Sequence, residues 1–213
     1  MLKNTTKLNV VRIGSYITYS SLKKIAEGIL DSFRGIIKEA NLAHHDTPVV
    51  ESIDAQLLTM ILNEEYSGPT LGITDADLKT EDEDAFYNSI LGGKNPKNDV
   101  AVVSTHKLTP PNIDCDKDYD RFVDRTLKVS LHEVGHNLGL MDHPSYRLAS
   151  DGLLCPMSRG EFNKFGYRGY VKIIVDGRGR IFCDECNDFL TGVYSAKISS
   201  SQFLKDVLVT LPN

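Results

Sequence analysis

The run His132-Glu133-Val134-Gly135-His136 places a strong demand on local structure. On a helix the two histidines lie one turn apart on the same face, so their imidazoles reach a single metal ion with Glu133 beside its open position. This is the paired-histidine zinc signature of a metallohydrolase, and it points to a zinc-dependent peptidase. The flanks supply the helix. Phe122, Val123, Leu127, Leu131, Val134 and Leu138 recur at three- and four-residue spacing without an intervening proline, which predicts a helix over Asp120 to Leu138. Gly139 marks its stop, since glycine takes the left-handed conformation that turns the chain back. Asp142 and His143 follow that turn, and either is a candidate third ligand.

A length of 213 residues suits one sizeable core, so a single catalytic domain over residues 1–213 is the economical expectation. Lys and Arg number 24 and Asp and Glu 29, a net charge of −5. That balance gives no electrostatic reason to seek nucleic acid or an anionic membrane, and neither is expected as a partner. The opening residues lack a signal-peptide apolar run and no stretch is long enough to cross a bilayer, which makes a cytoplasmic location the default expectation. Of the four cysteines, Cys183 and Cys186 have the Cys-x-x-Cys spacing shared by structural zinc sites and redox pairs. In a reducing compartment, thiolate ligation is the expected use.

Along the chain, Leu8 to Ile13 reads as a strand, followed by a helical apolar face from Leu22 to Ile37. Pro48 to Glu51 suggests a strand, and Ser52 a cap for a helix carrying Ala55, Leu57, Leu58, Ile61 and Leu62. Thr70 to Ile73 and Val100 to Ser104 read as short strands, separated by a polar segment, Asp75 to Asn98, expected to be loop and short helix. Its acidic residues Glu81 to Asp84 lack the spacing of a calcium loop. Pro110, Pro111 and Asn112 mark a turn. Beyond the histidine helix, Tyr170-Val-Lys-Ile-Ile-Val, Asp176-Gly177 and Ile181-Phe182 predict a β-hairpin, with Lys172, Arg178 and Arg180 on its solvated face. Ser199 to Val209 reads as a closing helix.

These motifs together resemble the archaemetzincins, a family of metzincin-type zinc peptidases. The likeness is carried by His132-Glu133-x-x-His136-x-x-Gly139, Leu71-Gly-Ile-Thr-Asp-Ala-Asp-Leu78, Ala101-Val-Val-Ser-Thr-His-Lys-Leu108, Cys155-Pro-Met157 and Cys183-x-x-Cys186, in that order. The resemblance implies an α/β (α+β), metzincin-like zincin fold: a mixed twisted sheet with helices, including the metal-binding active-site helix, and a Met-turn at Met157 below the metal. It implies an N-terminal part, residues 1–139, ending in the active-site helix. The C-terminal part, residues 140–213, would hold the Met-turn, the hairpin insertion and a structural zinc site.

The chain departs from the family pattern at two adjacent positions. Family members usually place a third histidine ligand where this chain has Asp142, and a cysteine where it has His143. The simplest mapping gives a catalytic zinc held by His132, His136 and Asp142, and a structural zinc held by His143, Cys155, Cys183 and Cys186. A competing register makes His143 the third catalytic ligand, with Asp142 its neighbour and Cys115 the reserve fourth ligand of the structural zinc. Two Zn2+ ions are therefore expected, with Glu133 as the base that activates a zinc-bound water against a peptide or small protein substrate. The alternative is a zinc-containing protein that binds peptides and cleaves them weakly or not at all. A nucleic-acid-binding zinc module is a further rival, and it would need an exposed basic patch spanning several phosphates.

Overall fold

Leu8, Val10, Val11 and Ile13 are all buried in strand β1 (Lys7–Ile13), so both faces of that strand are covered. The computed structural model describes residues 7–14, 17–46, 50–80, 89–95, 97–109, 115–159 and 162–194. Within them β1 is followed by helix α1 (Tyr19–Ser32), strand β2 (Glu39–His45), strand β3 (Ser52–Asp54) and helix α2 (Ala55–Glu65). Strands β4 (Thr70–Thr74), β5 (Asp77–Lys79), β6 (Ser89–Ile90), β7 (Gly92–Lys94) and β8 (Val100–Ser104) come next. The long helix α3 (Asp116–Asn137) and helix α4 (Phe162–Tyr170) follow, and α4 runs on as a π-helical turn, Val171–Val175. A last helix, α5, spans 184–194.

The main sheet has the order β2-β1-β4-β8-β7, parallel except for the antiparallel edge strand β7. Because successive strand residues point to opposite faces, each strand feeds two cores. Leu8, Val10, Leu71, Ile73, Ala101 and Val103 pack with α1 and α3, whereas Val11, Ile13, Val100 and Val102 pack with Leu58 and Leu62 of α2. A smaller sheet, β3-β5-β6, pairs β3 with β5 in parallel and β5 with β6 in antiparallel fashion. Strand β7 therefore lies at the open edge, against the back of which α3 runs.

Helix ends follow local chemistry. Thr18 Oγ1 accepts the Ser21 N–H at 3.2 Å and caps α1. Asp54 Oδ1 accepts the Leu57 N–H at 2.7 Å and caps α2, so the cap falls two residues beyond the expected Ser52. Asp116 and Asp118 sit in the first turn of α3, where the helix dipole favours negative charge. At the other end Gly139 has φ 94°, the left-handed conformation expected of the helix stop.

The expected hairpin is corrected to helix. Tyr170, Val171, Ile174 and Val175 are buried while Lys172 and Ile173 are exposed, a helical rather than an alternating pattern. The β-branched residues favour a strand only weakly, and packing against the core decides the conformation. Asp176 and Gly177 form the exit turn, and Phe182 packs on Phe33 with ring centroids 4.9 Å apart instead of returning as a second strand. Arg178, expected on a solvated face, is buried. The segment Asp75 to Asn98, expected as loop and short helix, contributes β5, β6 and β7. The acidic run Glu81–Asp84, the Pro110–Asn112 turn and the Ser199–Val209 helix lie outside the described residues.

Candidate metal centre

Helix α3 carries His132 and His136 one turn apart, and the turn at Gly139 brings Asp142 back to them. His132 Nε2 and His136 Nε2 are 3.2 Å apart, and Asp142 Oδ1 lies 3.3 Å from each. His132 Nδ1 bonds the carbonyl of Pro156 at 2.9 Å, and His136 Nδ1 bonds that of Leu140 at 2.9 Å. A carbonyl only accepts, so each Nδ1 carries the proton, and in the neutral ring Nε2 is left with its lone pair. Burial pushes His132 well below its ordinary pKa, which keeps that ring neutral. Burial also disfavours charge on His136, but its bond to Asp142 and the field of Glu133 outweigh this and raise its pKa. The same negative field that favours a proton there favours a metal cation.

With both rings neutral, three lone-pair atoms converge without a hydrogen between them, which leaves the buried Asp142 Oδ1 without a hydrogen-bond donor among the described residues. A tetrahedral zinc with bonds of about 2.0–2.1 Å separates its ligand atoms by about 3.3 Å. The donor set fits. Asp142 Oδ2 faces Arg159 Nη1 at 3.7 Å, leaving Oδ1 for the ion.

Glu133 points from α3 toward β7. Its carboxyl is buried, and burial raises its pKa to about 7. A β-carbon built on Gly92 would lie 2.6 Å from Glu133 Oε1, so the edge strand approaches this closely only as glycine. Two residues on, Lys94 Nζ donates to the His136 carbonyl at 2.8 Å, tying β7 to the end of α3. Met157 packs from the other side. A β-carbon on Gly135 would meet Met157 Sδ at 2.6 Å, so the helix glycine admits the sulfur against its backbone, between the turns that bear the two histidines.

A second set forms immediately beside the first. His143 Nε2 lies 3.2 Å from both Cys183 Sγ and Cys186 Sγ, and Cys155 Sγ lies 3.9 Å from Cys186 Sγ. All four cysteines are free thiols. Zinc–sulfur bonds of about 2.3 Å imply sulfur separations of about 3.8 Å, so this set also has the dimensions of a closed tetrahedral site. The bond with Cys186 and the Cys183 N–H hold the Cys155 thiol down to about 5, while that contact and burial push Cys186 up. Asp142 thus joins the imidazole pair and His143 joins the thiols. Cys115 is exposed and far along the chain, at the start of α3.

The turn Cys155–Ser158, closed by the Ser158 N–H to the Cys155 carbonyl at 2.9 Å, serves both sets. Pro156 orients His132, and the Met157 carbonyl accepts the His143 N–H at 2.9 Å. Beneath it the buried Arg178 donates from Nε and Nη2 to the Ser158 carbonyl at 3.1 and 2.7 Å.

No family profile matches the chain. Over 78 residues it is 35% identical to the archaemetzincin of Thermococcus kodakarensis, a stretch covering 37% of this chain and 40% of that relative. Its fold superposes on the crystal structure of archaemetzincin from Methanopyrus kandleri with a TM-score of 0.64 at 22% identity, covering 88% of this chain and 94% of that one. The chain is thus similar to archaemetzincins in sequence over this stretch and in fold over most of its length. A zinc-dependent peptidase from Methanocorpusculum labreanum shares the fold as well, with a TM-score of 0.57 at 17% identity over 85% of this chain and 99% of that one. The mixed α/β zincin-like fold expected from the sequence is the fold of these solved structures. The matched stretch spans less than half of the curated relative's length.

Sequence reasoning missed Gly92, Lys94 and Arg178. Gly92 lies in the polar segment Asp75 to Asn98 without a motif around it, and only its pairing opposite Val103 brings it over Glu133. Arg178 sits in a run of turn-forming and basic residues that carries no burial signal.

Proposed function

We propose that the chain is a zinc metallopeptidase in which His132, His136 and Asp142 hold the catalytic ion and Glu133 is the base. The convergence of two imidazole Nε2 atoms and a donorless Asp142 Oδ1 carries this reading. His143, Cys155, Cys183 and Cys186 would hold a second, structural zinc. When bound, the catalytic zinc would acidify a water and polarise the scissile carbonyl.

The remaining work falls to the chain's own groups. Glu133, beside the histidines but outside the donor triangle, takes the water proton on its carboxylate and returns it to the leaving amine. Its raised pKa, about 7, suits a group that must both accept and release a proton. Gly92 and the β7 backbone leave room for the carboxylate, and Lys94 fixes the strand against α3. Pro156 and Leu140 hold the two rings in the tautomer that presents Nε2.

Changing Glu133 to Gln keeps the shape and removes the proton acceptor. Peptide turnover measured on a mixed peptide library should fall at least about a hundredfold, with zinc content and folding retained. Cleavage that survives the change would remove Glu133 from the role. A wild-type protein with full zinc that cleaves no peptide would favour the peptide-binding alternative.

A further inference from the structure

One face of α3 carries more than the histidines. Arg121, Arg125 and Lys128 precede His132 and His136 at spacings of four, three, four and four residues, which puts all five on a single helical stripe. The stripe's first half forms the back wall of a cleft of about 920 Å³. One rim is the stretch after β8, with His106, Lys107 and Thr109, and the other is α4 and its π-helical extension, with Tyr167, Arg168 and Lys172.

Six cationic side chains, Lys107, Arg121, Arg125, Lys128, Arg168 and Lys172, line this cleft against two carboxylates, Asp124 and Asp176. That excess of positive charge stands in a chain of net charge −5. The two carboxylates are already engaged: Asp176 receives the Arg125 fork at 2.6 and 2.7 Å, and Asp124 receives Lys128 at 2.9 Å. Arg121, Arg168 and Lys172 are exposed and have no ion-pair partner among the described residues. The cleft's lining ends one helical turn before the first histidine. Lys128 is four residues from His132, about 6 Å along the helix axis. Behind the opposite rim the buried Tyr170, one turn beyond Tyr167, meets Arg178 at 3.4 Å, and Arg178 in turn holds the Ser158 carbonyl of the turn beneath His132.

We propose that this cleft receives a carboxylate-bearing stretch of the substrate, so that the peptidase prefers peptides with acidic residues on one side of the scissile bond. The inference rests on the peptidase reading above and narrows its substrate class. Charges fixed on α3 would draw an acidic chain along the same face that bears the donor atoms, with α4 as one rim. Arg125 and Lys128 build the floor through their bonds to Asp176 and Asp124, and the exposed Arg121, Arg168 and Lys172 make the contact.

The test compares two peptides differing only in replacement of several glutamates by glutamines, placed in turn on each side of the bond. Cleavage by the zinc-loaded protein and binding to the Glu133→Gln protein by calorimetry are both measured. The glutamate peptide should be preferred from one side only, with a preference that shrinks as salt rises from about 50 to 500 mM. Arg168→Glu combined with Lys172→Glu should lower the acidic-to-neutral ratio of kcat/KM about tenfold or more and weaken acidic-peptide binding equally. A Lys23→Glu control on α1 should leave that ratio unchanged.

Equal use of both peptides by an active enzyme would overturn the proposal and leave the peptidase reading standing. Acidic-peptide binding that the double substitution weakens, without cleavage of any peptide, would uphold the docking cleft and count against the peptidase reading. Tight binding of inorganic polyphosphate with no binding of the acidic peptide would overturn the proposal in favour of a phosphate ligand.

Discussion

Gly92 and Glu133 occupy adjoining space across the gap between the edge strand and helix α3: a methyl group on Gly92 would sit 2.6 Å from one carboxylate oxygen and 2.8 Å from the carboxyl carbon. Gly92→Ala should therefore displace the Glu133 carboxylate while sparing the donor triangle. Turnover should fall about tenfold to a hundredfold, as for a reacting group misplaced by about an ångström. Metal analysis should show zinc unchanged. A fully active alanine variant would mean that the carboxylate does not work from this position.

Asp142 and His143 should differ in their principal effect on substitution. Asp142→Ala should weaken metal retention at the imidazole pair with little change in thermal stability, whereas His143→Ala should lower the unfolding temperature, since a closed structural zinc contributes to folding itself. Zinc-resolved anomalous diffraction together with thermal unfolding distinguishes the two. Loss of the imidazole-bound ion in the His143 variant, with its retention in the Asp142 variant, would establish the other register.

Arg178→Leu should destabilise the protein by about 1–3 kcal/mol in urea unfolding, because it strands the buried Ser158 carbonyl that now accepts two guanidinium bonds. Arg178→Lys, which keeps one donor, should recover part of that loss. An unchanged stability in both variants would show that the Ser158 carbonyl finds another donor.

Asp124 supplies a pH dependence. Burial alone would raise its carboxyl, but bonds from Arg180 at 2.6 Å and Lys128 at 2.9 Å outweigh this and hold it below its ordinary value of 3.8. A carboxyl whose folded pKa is depressed adds stability above the unfolded pKa and loses it as pH falls through the folded one. Asp124→Asn should thus unfold at a lower temperature than the wild type above about pH 5, and the two should converge below about pH 3. Parallel melting curves across that range would rule the linkage out.

Helix α3 was legible because one short motif fixes both its periodicity and its candidate chemistry: histidine spacing, apolar stripe and Gly139 all report the same helix. Strands β1, β4 and β8 were legible from continuous apolar runs, as buried parallel strands are. Assigning Asp142 to the imidazoles and His143 to the thiols needed more than spacing, because adjacent residues have nearly the same reach. The resemblance to the family carried that step. The segment Val171–Val175 was misread since β-branched residues beside an Asp-Gly pair imitate a hairpin, and only the burial of Val171, Ile174 and Val175 on one side reveals the helix. Gly92, Lys94 and Arg178 were illegible for a different reason: each acts on a partner at least 20 residues away, through contacts that no local pattern encodes.

A single peptide unit, planar and nearly inextensible, connects Asp142 to His143. The two donor sets consequently share one piece of rigid backbone, and each, once loaded, selects the placement of that unit which the other requires. Metal affinity is then a joint property. Filling the thiol set pre-organises Asp142 for the imidazole pair, and by thermodynamic reciprocity the imidazole-bound ion tightens the thiol set by the same factor. A zinc titration of the metal-free protein should accordingly show tighter uptake at the imidazole pair once the thiol set is filled.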